Sequence, residues 1–205
     1  MTIGAAAASS ATGQAAGSTI RERIVAAATD LTTTEGWSAV TMSRLADLVG
    51  VSRQTVYNEI GTKPALAETM ILSELARFLE QVDRAFLAHP DNLIDAVRAA
   101  VIGVLEFAEG NPLLHAIVSA THGADTELLP LLTTHAGALM GTAKMVVAEH
   151  IAHHDLDLTE AQRGFTIDAI VRIVLSHVMQ PSGTPAEAAD GVTWVASQAL
   201  SKRQA

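Results

Sequence analysis

Five residues suited to nucleic acid, Arg53, Gln54, Thr55, Tyr57 and Asn58, fall directly after Ser52. Arg and Gln can hold a purine edge through two hydrogen bonds, and a Thr methyl can rest on that of thymine. Tyr57, with Thr41 and Lys63, suits phosphate oxygens, which set register rather than base preference, and Arg44 is a further candidate for DNA contact. Such contacts need a short helix braced in a groove by a second one. Residues 41–60 have the spacing for that pair. Ala46 is small enough for two helices to cross, and Gly50 tolerates the positive φ of a tight turn. Leu45, Val49, Val51 and Val56 then fill the wedge between them, and Ser52 caps the second helix. The plainer alternative is a short helix whose polar residues are merely solvated.

Other chemistry is sparse. His150, His153 and His154, beside Glu149 and Asp155, have the one-turn spacing of metal ligands. They lie at a polar helix end, where imidazoles complement the dipole and face water, so no metal is expected. The chain has no Glu-x-x-His pair, P-loop, Gly-x-Ser-x-Gly elbow or His-Glu-x-x-His, which argues against catalysis and against a cofactor. It also lacks cysteine, which removes disulfides and thiolate sites and suits a reducing cytoplasm.

The elements that must position these residues are well marked. Thr19 with Glu22 forms a capping-box pattern, and Ile20, Ile24, Ala27, Ala28 and Leu31 share one face of the helix that follows. Gly36 ends it. Short helices are expected over 41–49 and 52–60, and Thr62 with Pro64 opens a longer one to about Leu87, broken by His89-Pro90. Further helices are expected over 92–109, 111–120, 126–153, 159–179 and 184–200. The fold class is therefore all-α: an N-terminal three-helix helix-turn-helix domain over 19–66 and a C-terminal six-helix domain over 67–205. Residues 1–18, uncharged and rich in Ala, Ser and Gly, read as a disordered tail rather than a secretory signal.

Composition agrees with this reading. Of 205 residues 49% are hydrophobic and only 3% aromatic, which favours helices packed through Ala, Val, Leu and Ile. No stretch offers the roughly 20 apolar residues of a spanning helix, so no membrane partner is expected. The net charge of −9 is unevenly placed: residues 19–63 balance to zero, and the acidic excess lies beyond them. Phosphate would repel that acidic body, so only the N-terminal unit can approach DNA.

Thr41-Met42-Ser43-Arg44-Leu45-Ala46, Gly50-Val51-Ser52, Thr55-Val56-Tyr57, Lys63 and Leu66 resemble the N-terminal domain of the tetracycline-repressor (TetR) family. Thr34-Glu35-Gly36-Trp37 sits where that family turns after its first helix. The resemblance spans about residues 20–70 and implies a transcriptional regulator, usually a repressor, released from double-stranded DNA by a small-molecule effector. The fourth helix would then carry the effector's influence to the reading heads. One departure stands out: Glu59 and Ile60 replace the family's usual aromatic or histidine and phenylalanine, placing a carboxylate near the backbone. That predicts weaker, more salt-sensitive binding. It also supports the rival reading of a helical interaction module that has lost DNA binding.

One helix-turn-helix makes few contacts, so a homodimer on a palindromic operator is expected. Ile167, Val171, Val174, Leu175 and Val178, with Val192, Val195 and Ala199 on the final helix, are the interface candidates. The resemblance implies the same pairing of two helices per subunit, and an effector site among residues 92–179. Phe107, Ile117, Met140 and Met145 are candidate lining residues there, or plain core. Arg172 lies one turn after Asp168 and either closes an ion pair with it or, like Arg98, holds the carboxylate of an amphiphilic ligand. Scarce aromatics and apolar helices suit an aliphatic, fatty-acid-like effector. His115, His122, His135 and His177 either add polar points to the pocket or sit as satisfied core residues.

Overall fold

Residues 18–120 and 129–200 are described by the computed structural model, and among them all regular structure is helical. The chain divides into two compact units, one up to Leu66 and one from Ala67 onward. Apart from Ser18, the expected N-terminal tail lies outside the described residues, as do His122 and the start expected for the helix at Thr126.

The first unit holds α1 (Ile20–Glu35), a turn of 3-10 helix (Trp37–Ala39), α2 (Met42–Val49), α3 (Arg53–Ile60) and the beginning of α4 (Lys63–Ala88). Each start satisfies backbone donors that the first helical turn leaves without partners. The Thr19 hydroxyl accepts from the Glu22 amide at 3.2 Å, and the Glu22 carboxylate accepts from the Thr19 amide at 2.8 Å. Thr41 and Ser52 cap α2 and α3 through the amides of Arg44 and Thr55. Gly36, at φ 88°, closes α1, and the 3-10 turn after it buries Trp37. Ile24, Ala28, Leu45, Val56 and Ile60 build a small core there, each buried.

The second unit holds the rest of α4 with α5 (Leu93–Glu109), α6 (Pro112–Ala120), α7 (Leu129–Ile151), α8 (Glu160–Met179) and α9 (Pro185–Leu200). Helix α5 packs against both α8 and α9, and α7 against α8. Small residues make the closest approach possible: Ala96 of α5 and Ala189 and Ala196 of α9 are fully buried. Val82, Phe86, Val97, Val101, Leu105, Ile167, Ile170 and Val171 fill the centre of this core. Thr159 and Gln162 form the capping box expected at the start of α8. No helix among the described residues is long and apolar enough to cross a membrane.

Candidate DNA interface and effector cavity

Helices α2 and α3 cross through Ala46, 2% exposed, and turn at Gly50, whose φ of 73° and ψ of 40° lie in the left-handed region. The amides of Gly50 and Val51 both reach the Ala46 carbonyl, at 2.9 and 3.0 Å, so the turn closes the end of α2. Val49 and Val56 are buried in the wedge and Val51 is half-buried. Arg23 reinforces the same corner by donating to the Val49 carbonyl at 2.6 Å.

Ser52, Arg53, Gln54, Tyr57 and Asn58 are exposed along α3, with Thr55 half-buried. Gln54 donates to the Asn58 side-chain oxygen at 2.9 Å, which joins two candidate DNA contacts one turn apart. No ion pair engages Arg53 among the described residues, so its guanidinium keeps its donors for a ligand. Thr41 is exposed at the start of α2. Two expected DNA contacts carry structural duties as well. Arg44 forms a two-pronged pair with Glu35, one arm at 2.7 Å, and that guanidinium holds the Glu35 carboxyl below its ordinary range. Lys63 lies over the Trp37 ring, 4.8 Å from its centroid. Glu59 is half-buried, and its backbone carbonyl accepts from Arg21.

In the second unit a cavity of about 440 Å³ runs among α4, α5, α6, α7 and α8. Ile117 and Met140 line it as expected, together with Val171, Val174, Leu175 and Val178. Much of its wall comes from α4, through Ile71, Leu75, Phe78, Val82 and Phe86, which lie outside the expected effector region of residues 92–179. The signal was present, because those five residues recur at helical spacing along one face of α4. Only Glu74 and Asn111 are polar among the described lining residues. They satisfy one another: the Asn111 amide donates to Glu74 at 2.6 Å, its oxygen accepts from the Leu114 amide at 2.9 Å, and Arg77 pairs with the other Glu74 oxygen at 2.9 Å.

Five expected pocket residues stand elsewhere. Phe107 backs the wall instead of forming it, edge-on to Phe78 at 4.8 Å between centroids and with Arg77 over its face. Asp168 accepts from Arg172 at 2.6 Å and from Lys144 at 2.9 Å, bonds that hold its carboxyl below the ordinary range. Arg172 is 62% exposed, and Arg98 reaches across to Asp190 at 2.7 Å. Of the two readings for Arg172, the ion pair is the one found, and neither arginine lines the cavity. Met145 is exposed on α7.

The interface candidates also separate. Ile167, Val171 and Val192 are buried within their own unit, so they cannot also form the surface offered to a second copy. Val174 and Val178 face the cavity, and Ala199 is half-buried. The buried stripe of α9 runs through Ala189, Val192 and Ala196, leaving Val195 exposed beside Trp194 at 66% exposure. On α8 the exposed apolar side chains are Phe165, Leu175 and Met179.

The histidines divide too. His150 meets Asp83 at 2.8 Å and stacks on Phe86 at 4.6 Å between centroids. His115 and His177 line a second, smaller cavity, while the side chain of His135 lies outside the described residues.

This architecture has close counterparts. Residues 24–70 match the family described as bacterial regulatory proteins, tetR family, and residues 92–198 the one described as the C-terminal domain of the bacterial tetracycline repressor. The regulator AlkX of Mycobacterium tuberculosis is 29% identical over 162 residues, covering 79% of this chain and 76% of its own. The crystal structure of the TetR family repressor AlkX from a Dietzia species, implicated in biodegradation of n-alkanes, superposes with a TM-score of 0.70 at 30% identity, over 87% of this chain and 96% of that one. Thermus thermophilus FadR, solved with lauroyl-CoA, shares the fold alone, with a TM-score of 0.57 at 21% identity over 90% and 97% of the two chains. The chain therefore belongs to the TetR family of DNA-binding transcriptional regulators.

Proposed function

We propose that this regulator is a repressor that binds a palindromic operator as a homodimer and is released by an aliphatic, lipid-like effector. The observation that carries the effector reading is the cavity of about 440 Å³ whose described walls are apolar except for the mutually satisfied Glu74 and Asn111. That volume falls within the roughly 300–1,000 Å³ usual for small-molecule pockets. A long apolar chain is the ligand such walls reward, because each buried methylene contributes about 0.8 kcal/mol. The similarity to a repressor implicated in n-alkane degradation supports the same class.

Reading heads are supplied by α3, with Arg53, Gln54 and Thr55 toward base edges and Thr41, Arg44, Ser52, Tyr57, Asn58 and Lys63 toward the backbone. Pairing uses the apolar side chains exposed on α8 and α9, chiefly Leu175, Met179, Trp194 and Val195. An effector that prefers a body conformation with the wrong head spacing shifts the population away from DNA.

A cavity-filling substitution tests this. Ala143→Phe on α7 places a ring among the lining residues without touching the first unit. Operator binding by the variant should persist while dodecanoic acid loses its power to release it. Release of the variant at wild-type acid concentrations would contradict the reading.

A further inference from the structure

Beside the large cavity lies one of about 190 Å³, bounded by the end of α5, the start of α6, the end of α8 and residues 181–185. Leu114, Val178 and Met179 line both, so the large apolar space abuts a smaller one that carries more polar side chains. The two ends differ in what they can offer a headgroup. At the Glu74 end an anion meets a carboxylate whose neighbour Asn111 has one amide hydrogen committed to it and its oxygen taken by Leu114. Arg77 pairs with the other Glu74 oxygen at 2.9 Å, so the polar groups of that cluster are committed to one another. At the other end stand two imidazoles, His115 and His177.

His177 is held in a defined tautomer. Its Nδ1 lies 2.8 Å from the Ile173 carbonyl, which only accepts, so Nδ1 carries the proton. Nε2 is left as the ring nitrogen for a ligand, and it becomes a donor by taking up a proton, the change an anionic partner favours. Two carboxylates belong to the surroundings. Glu109 lines the same cavity. Glu187 on α9 is occupied by the Thr184 amide and hydroxyl, both at 2.9 Å, which hold its carboxyl below the ordinary range.

We propose that the smaller cavity is the headgroup site for a single-chain carboxylic acid, whose carboxylate is held by His177 and His115 while its aliphatic chain fills the larger cavity. This rests on the aliphatic-effector reading and adds which end of the molecule is recognised and by what. It replaces the arginines expected for that task with imidazoles. Glu109 opposes the ligand's charge and tempers its affinity.

Calorimetric titration of the full chain with dodecanoic acid, dodecan-1-ol and methyl dodecanoate tests the assignment. His177→Gln keeps size and polarity but cannot become a cation. Its affinity for the acid should fall about tenfold, the worth of one charge-assisted hydrogen bond, with the alcohol and ester little changed. Glu109→Gln should tighten acid binding, an outcome that a loss of folding cannot produce. If the acid binds wild type and both His177→Gln and His115→Gln equally well, the headgroup site is wrong although the aliphatic reading stands. If none of the three ligands binds wild type, both fall together.

Discussion

At the scale of single residues, the reading head depends on a division of labour between free and committed cations. Arg53 has no ion-pair partner among the described residues, whereas Arg44 is braced against Glu35 and Lys63 rests over Trp37. Arg53→Ala should therefore cost about 1–3 kcal/mol of operator affinity, concentrated at one base position, as measured by titrating operator variants. A uniform loss across all sequences would assign Arg53 to the backbone. Glu59 acts in the opposite direction. Its carboxylate lies on the helix that must approach phosphate, so Glu59→Gln should raise affinity, most at low salt where that repulsion is least screened. An unchanged affinity would mean the carboxylate is turned away from the duplex. The candidate readers on α3 were legible in the sequence because exposed polar residues after a Ser cap declare themselves. The Arg44–Glu35 pair was not, since nothing in local spacing brings the end of α1 to the first turn of α2.

At the scale of elements, turns and caps carry the fold. Gly50 has open space around its α-carbon, yet its φ of 73° lies where side chains are strained. Gly50→Ala should destabilise the first unit by about 1–2 kcal/mol, and Gly50→Asn by less, in thermal or denaturant unfolding. Equal stability of all three would remove the need for glycine at the turn. In the second unit, Asp168 ties α8 to α7 through Lys144 and pairs with Arg172 one turn along its own helix. Its carboxyl is depressed first by the Arg172 bond and then by that of Lys144, so the contribution is present above the ordinary aspartate range and disappears as pH falls through the folded value. Asp168→Asn should lower Tm at neutral pH and match wild type in strong acid. A deficit of equal size at every pH would point to packing instead of charge. Helix starts at Thr19, Thr41, Ser52, Asn92 and Thr159 could be read from sequence because a cap is a local event. The cavity could not be read in the same way. Whether an apolar stripe such as Ile71 to Phe86 faces core, cavity or partner depends on helices distant in sequence.

At the scale of the whole molecule, several large apolar side chains of the last two helices remain exposed. Trp194, Phe165, Leu175, Met179 and Val195 are exposed on α8 and α9, an unusual use of the few aromatics this chain has. Trp194→Asp should convert a dimer to monomers in sedimentation and weaken operator binding with it, because each protomer brings one half of the contacts. A variant that stays dimeric would move the interface elsewhere. The acidic excess beyond residue 63 fits a body held away from DNA while the charge-balanced head approaches it.

The most direct test of the account is fluorescence anisotropy of a duplex from the chain's own upstream region, titrated with purified protein and then with dodecanoic acid. The account predicts saturation at two protomers per palindrome, affinity that falls with salt, and recovery of free duplex as the acid is added. Binding no tighter than to unrelated DNA, or a complex the acid leaves intact, would contradict it.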